Sequence, residues 1–330
     1  MSAGEPPRRA RRWGWIALRA AASAALLAYV WPRDYRAIGR VIESADLGWL
    51  LAALALHAVG VWLSAWRWKL LLERGGRPIS VARLSASYLV GFFFNTWLPS
   101  GFGGDAVRAY DTRREADGAA RSVGVIVIER GTGILALVAL GALVSVGAGW
   151  YRSMPGLTAL LWITTALGAA LLAALGAYGP ALAGRLESAV PGLWRWRRAA
   201  GAARALLSTS ATLSGDRALV ARALALGVLL QLNVVMHYAW VGRALGVPVA
   251  TSYYFLVVPV LVAVLTLPLS INGIGAREVV FVRFLGAVGV AREQALAVSV
   301  LAFALTLVFS VLGGLVYVAR GFASGGSERA

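Results

Sequence analysis

Three features of this 330-residue chain predict an all-α, polytopic membrane fold. Hydrophobic residues make up 59% of it and charged residues 14%, with a mean hydropathy of +0.71, which excludes disorder and an ordinary soluble domain. Charge-free runs long enough to cross roughly 30 Å of hydrocarbon recur along its whole length. Arginines gather between those runs, as expected of loops sorted by the positive-inside rule.

The apolar segments fall at about 13–31, 47–66, 83–98, 122–148, 157–178, 219–243, 249–267 and 294–319, eight in all. The first follows Arg8-Arg9-Ala10-Arg11-Arg12 and ends in Trp31-Pro32-Arg33 without a small-residue cleavage site. It reads as a transmembrane helix with a cytoplasmic N-terminus, not a signal peptide, and Arg19 is expected to snorkel to the interface. If all eight segments span, loops 99–121 and 179–218 fall outside with their arginines, against the charge rule.

A second topology removes the conflict. Residues 83–118 would form a re-entrant hairpin from the cytoplasm, turning at Pro99–Gly104, and residues 249–290 one from the opposite side, turning at Pro268–Gly275. Six spanning helices then remain, with both termini inside. A weak repeat supports this arrangement: Leu98-Pro99-Ser100-Gly101-Phe102-Gly103-Gly104 resembles Leu267-Pro268-Leu269-Ser270-Ile271-Asn272-Gly273-Ile274-Gly275. Interrupted hydrophobic segments at matching positions of two halves point to a transporter's binding site. The expected organisation is one unit over 1–323, with halves 1–150 and 151–323, before a disordered tail at 324–330. In loop 179–218, Trp194-Arg195-Trp196-Arg197-Arg198 suits the headgroup layer or simply marks topology.

The polar anomalies sit at the hairpins. Backbone broken at membrane depth survives only against protein or a water-filled cavity. The glycine-rich turn at Pro99–Gly104 would leave N–H groups near a helix start, a plausible anion cradle. Asp105 either caps that helix or pairs with a buried arginine. Glu129-Arg130 lie well inside the next apolar segment, where an unpaired charge costs roughly 2.5–3.5 kcal/mol. Each is expected to have a partner, with Arg108 and Asp105 nearest in sequence; a purely structural network is the other reading. Asn272-Gly273-Ile274-Gly275-Ala276-Arg277-Glu278 repeats the pattern, with Arg277 placed to hold a phosphate and Glu278 to orient it or exchange protons. Arg67 reads as an interfacial anchor, and His57 and His237 as satisfied buried histidines.

With zero cysteines, disulfides and thiolate metal sites are excluded. No H-E-x-x-H or P-loop pattern occurs, no cofactor or metal is expected, and the net charge of +17 is read as topology and lipid headgroup affinity, not nucleic-acid binding.

These residues, in this order, resemble the flippase-like membrane domain of the lysylphosphatidylglycerol synthase family. The resemblance rests on Arg67-Trp68 with Leu70-Leu71, Phe94-Asn95 with Leu98-Pro99, Gly103-Gly104-Asp105 with Arg108, and Glu129-Arg130. In the second half it rests on Pro268, Gly273-Ile274-Gly275 with Arg277-Glu278, and Gly313-Gly314. It implies a lipid-translocating domain without fixing the lipid. Full synthases carry a soluble aminoacyltransferase domain after the membrane part, and this chain stops just beyond its last helix, so a stand-alone member without lysyl transfer is expected.

The expected function is a non-enzymatic flippase or lipid transporter of the inner (cytoplasmic) membrane, moving an anionic or phosphate-bearing lipid. Transport would be passive or coupled to a gradient through Glu129, Asp105 or Glu278. The alternative is a non-transporting scaffold or accessory subunit of an envelope-lipid enzyme. The candidate translocation residues are Asn95, Pro99, Gly103, Gly104, Asp105, Arg108, Glu129 and Arg130, with Asn272, Gly273, Gly275, Arg277 and Glu278. Membrane lipids, and a lipid-modifying enzyme partner for the alternative, are the expected partners.

Overall fold

The computed structural model describes residues 8–31, 35–98, 103–189, 197–267 and 269–326, all of them helical or connecting turns. In order the helices are α1 Arg8–Val30, α2 Tyr35–Glu43, α3 Leu47–Glu73, α4 Val81–Trp97, α5 Gly103–Asp111, α6 Ala119–Gly147 and α7 Trp150–Ser153. There follow α8 Pro155–Ala189, α9 Arg197–Ser214, α10 Arg217–Ala244, α11 Thr251–Thr266, α12 Ala276–Ala287 and α13 Arg292–Gly326. Each predicted apolar segment coincides with one long helix. Among the described residues, α3, α6, α8, α10 and α13 contain stretches long and apolar enough to cross a membrane; the apolar stretches of α1 and α11 are shorter.

Polar side chains set several of these boundaries. Asp46 accepts from Trp49 N to start α3, Ser80 from Arg83 N to start α4, and Asp216 from Leu219 N to start α10. Loop 179–218 is largely helical, with α9 packed on α6 and α8; residues 191–196 of its Trp-Arg stretch lie outside the described residues. α13 is described through Gly326, and residues 327–330 of the expected tail lie outside the described residues.

The two interrupted segments are helical hairpins whose ends return to the face they left. Arg77, before α4, donates its N–H to the Glu115 carbonyl after α5 at 2.8 Å. Tyr253, at the start of α11, donates its hydroxyl to the Phe284 carbonyl near the end of α12 at 2.8 Å. At a rise of roughly 1.5 Å per residue, α5 is only about 14 Å long and α12 about 18 Å, too short to cross.

The hairpins enter from opposite faces. The base of the α4–α5 hairpin lies at the C-terminal end of α3, where Arg121 reaches the Arg74 and Gly75 carbonyls. The base of the α11–α12 hairpin adjoins the end of α10, and Asp46 N, before α3, donates to Ala244 O at 2.8 Å. Their tips meet: Asn272 Nδ2 donates to the Thr96 carbonyl.

Close packing of the α4–α5 arms depends on glycine. A Cβ on Gly104 would collide with the Gly91 carbonyl, so a larger residue would wedge the arms apart. At the other tip, Asn272, Gly273 and Gly275 all take positive φ of 53°, 74° and 84°. That tip is buttressed by α1, where Ser23 Oγ accepts from Ile271 N at 2.9 Å and Arg19 donates to the Ser270 carbonyl at 3.1 Å. Arg19 therefore turns inward to a broken backbone instead of snorkelling outward, because Ser270 offers a buried acceptor that lipid does not.

A polar cavity beside the first hairpin

The first hairpin places Arg108 on α5, facing α6. Its Nη2 donates to Glu129 Oε2 at 2.7 Å, and its Nη1 lies 3.4 Å from Asp105 Oδ1. The guanidinium is sandwiched between Trp68, 4.1 Å from its ring centroid, and Tyr88 at 4.3 Å. Asp105 Oδ2 also meets Arg130 Nε at 2.5 Å. The four charges thus form one chain, Glu129–Arg108–Asp105–Arg130, with the pairing that sequence order suggests. Asp105 belongs to the ion-pair reading; both its oxygens face guanidiniums.

Asn95, in the last turn of α4, accepts from Gly104 N at 2.8 Å and so ties the two arms together. The N–H groups of the turn are not a bare anion cradle at this point, since a side chain already holds one of them. Gly103 opens α5 beside this bond. Pro99, among the expected site residues, and Pro268 lie outside the described residues.

Asn95, Asp105, Arg108, Glu129 and Arg130 line a cavity of about 270 Å³, with α10 contributing Gln231 and α11 contributing Val262 and Thr266; Gly103 and Gly104 do not border it. Arg67 joins them. It is not an interfacial anchor: α3 runs on for six residues to Glu73, and Arg67 is 2% exposed. Its Nε donates to Ala223 O at 3.1 Å and its Nη2 to Thr132 Oγ1. Gly227 and Gly133 leave room for the guanidinium. Glu129 lies about 15 Å along α6 from its start, well inside the apolar stretch of that helix. Arg130 (40% exposed side chain) and Ile134 (38%) mark where the cavity reaches the surface along α6.

The second hairpin differs. Glu278 Oε2 accepts from Gly275 N at 2.6 Å, closing the first turn of its own helix. Its other oxygen takes Ser299 Oγ at 2.9 Å and Arg277 Nε at 3.3 Å. Arg277 stacks on Phe303 at 3.9 Å and is 6% exposed. Neither Arg277, Glu278, Asn272, Gly273 nor Gly275 borders the cavity. In both halves a hairpin side chain bonds the long helix that follows, Arg108 to Glu129 on α6 and Glu278 to Ser299 on α13. The second hairpin closes a helix end, whereas the first leaves charge facing open space.

Sequence reasoning missed Arg67, Tyr88 and Gln231. Arg67 carried one signal, a guanidinium inside an apolar helix; the others are chemically ordinary and reach the cavity only through packing. Among the described residues no group of three His, Asp or Glu side chains converges to hold a metal ion.

The family model described as the lysylphosphatidylglycerol synthase TM region matches residues 16–314. No curated protein matches the chain.

Proposed function

The chain belongs to the lysylphosphatidylglycerol synthase TM region family, and from that membership and the charge of its cavity we propose a lipid transporter, not an enzyme. Its cargo is a phosphate-bearing lipid moved between the leaflets of the cytoplasmic membrane. The observation that carries this reading is the cavity's charge well inside the apolar stretch of α6. Three guanidiniums, of Arg67, Arg108 and Arg130, face two carboxylates, of Asp105 and Glu129. One positive charge is left, and in a low-dielectric site an unmatched charge is costly. A phosphodiester supplies one negative charge and acceptor oxygens that match guanidinium geometry. The exposed Arg130 at the lateral opening supports entry of a headgroup while its acyl chains stay in lipid.

The hairpins support the transport reading over a scaffold. Two short-armed hairpins touch at Asn272–Thr96, and interrupted hydrophobic segments at matching positions of two halves are a transporter feature. Arg74, Arg77, Arg113, Arg114 and Arg121, with Arg217 next to the Arg74–Asp216 pair, share one face, which the positive-inside rule assigns to the cytoplasm along with the N-terminus.

Reconstituted vesicles with headgroup-defined fluorescent phospholipids test this, by the rate at which outer-leaflet quenching exposes inner-leaflet lipid. Arg67→Gln and Arg130→Ala are expected to slow movement of anionic phospholipids by at least about tenfold, the loss of one charge-assisted contact. Movement at the wild-type rate in both would refute the role of the guanidinium cluster. Arg114→Cys, in the cysteine-free background, checks orientation; labelling from outside the cell would reverse it.

A further inference from the structure

A second cavity, of about 250 Å³, adjoins the first, and Tyr88, Phe92, Leu230 and Gln231 line both. It lies toward the opposite face along α3, since His57 sits ten residues, about 15 Å, before Arg67. Ser64 of its wall is only one turn from Arg67. The chemistry changes between the two. No carboxylate or guanidinium lines the second cavity. Its polar groups are the His57 and His237 imidazoles, the Asn233 and Gln231 amides, and the hydroxyls of Ser64, Tyr88, Tyr238 and Thr306.

Some of these groups are already engaged. Asn233 Nδ2 donates to Leu56 O at 2.9 Å, Thr306 Oγ1 to Ala302 O at 3.0 Å, and His237 Nδ1 lies 3.2 Å from Ala53 O. Those bonds orient the side chains without using all their capacity, because an amide and a hydroxyl each keep acceptor sites. His57 Nε2 is buried with no hydrogen-bond partner among the described residues. The ring is held by Phe309, 4.5 Å away between centroids, and by His237 at 5.2 Å. A buried nitrogen of this kind in a roomy polar site can pair with a ligand's hydroxyl.

Resting on the phosphate reading of the first cavity, we infer that the second receives the part of the headgroup beyond the phosphate, and that this part is a neutral polyol. Amides and imidazoles present paired donors and acceptors, as hydroxyl groups do. Aromatic faces from Tyr88, Phe92 and Tyr238 offer flat apolar surface to the C–H side of a polyol or sugar ring. An ammonium headgroup is disfavoured. The rings could attract it, but no carboxylate stands there to neutralise it, and the neighbouring cavity already carries excess positive charge.

The test titrates full-length solubilised protein with short-chain phosphatidylmethanol, phosphatidylglycerol, phosphatidylinositol and phosphatidylcholine. The first three carry the same single negative charge and differ in hydroxyl count. Affinity is expected to rise in that order, by about fivefold or more from first to third, as one or two net hydrogen bonds would give. Asn233→Leu should bring the ratio close to one; Tyr238→Phe, which removes a single oxygen, should narrow it if the leucine variant does not fold. Equal affinity for phosphatidylmethanol and phosphatidylinositol, or tightest binding of phosphatidylcholine, overturns the inference. Arg67→Gln separates the two readings. Loss of all anionic binding with it supports the phosphate site, whereas an intact hydroxyl ranking with no Arg67 effect overturns the phosphate site alone. No binding by any of the four lipids overturns both.

Discussion

Replacing Glu129 with Gln removes one charge from the buried network and changes almost nothing else. Arg108 keeps its two aromatic faces and its longer contact with Asp105, and Gln can still accept its hydrogen bond. At 2.7 Å the gross attraction is about 6 kcal/mol for an effective dielectric near 20. That is an upper bound, because the lost carboxylate no longer needs desolvating. Buried pairs broken on one side cost roughly 3–5 kcal/mol, and an unpaired charge near mid-membrane costs roughly 2.5–3.5. The expected destabilisation is therefore about 3 kcal/mol, read as a shift in the denaturant midpoint of purified protein in mixed micelles. The double variant Arg108→Met with Glu129→Leu should recover most of it, since both charges leave together. A single-variant cost below about 1 kcal/mol would show that Arg108 is solvated or repaired by Asp105 alone. A double variant worse than Glu129→Gln would refute the reasoning, because the pair would then contribute more than its separated parts cost.

Gly104→Ala should wedge α5 from α4 against the Gly91 carbonyl; loss of yield or a melting temperature lower by several degrees checks it, and a neutral result would mean that the arms are not packed as described. Arg19→Leu should release the α11–α12 tip from α1, seen as faster hydrogen exchange at residues 269–275 with the base of the hairpin unchanged. The N–H of Leu219, helped by Arg74 at 3.5 Å, holds the Asp216 carboxyl below the usual carboxylate range. A depressed folded value means that its contribution is complete above the unfolded value, near 3.9, and is lost as pH falls through the folded one. Asp216→Asn should accordingly lower stability at neutral pH, change little below the folded value, and so flatten the acid limb of a stability–pH curve; an unchanged acid limb would contradict it.

The spanning helices could be read from hydropathy because lipid demands long uninterrupted apolar runs, and α3, α6, α8, α10 and α13 answer that demand directly. The hairpins needed a second signal. Alone, the α4 and α11 sequences look like spans; only the arginines of loops 99–121 and 179–218 and the repeated glycine turns showed that their chains turn back. Within the cavity, Glu129, Arg130, Arg108 and Asp105 stand out because charge in an apolar setting is costly enough to require a reason. Tyr88 and Gln231 pay no such cost, so local sequence carries no trace of them. Arg277 and Glu278 looked like a second copy of the site, but Glu278 is taken up by Gly275 N, Ser299 and Arg277, so that copy closes a helix end. Arg67 was misread because the apparent end of its helix, set by Trp66-Arg67, lies a turn and a half short of the true end at Glu73.

The shortness of α5 also bears on how the chain is put into the bilayer. A segment of nine residues carrying Asp105 and Arg108 is too short and too charged to be released sideways into lipid as it emerges. Its partners arrive both before it, with Trp68 on α3 and Tyr88 on α4, and after it, with Glu129 and Arg130 on α6. Until α6 has been synthesised, Asp105 and Arg108 have only their own 3.4 Å contact and lack the closer Glu129 and Arg130 partners, so the first hairpin has to wait at the interface and dock as a unit. Membrane insertion of this half is then a cooperative folding event that follows synthesis of α6, with α3 and α6 forming the slot into which the hairpin slides.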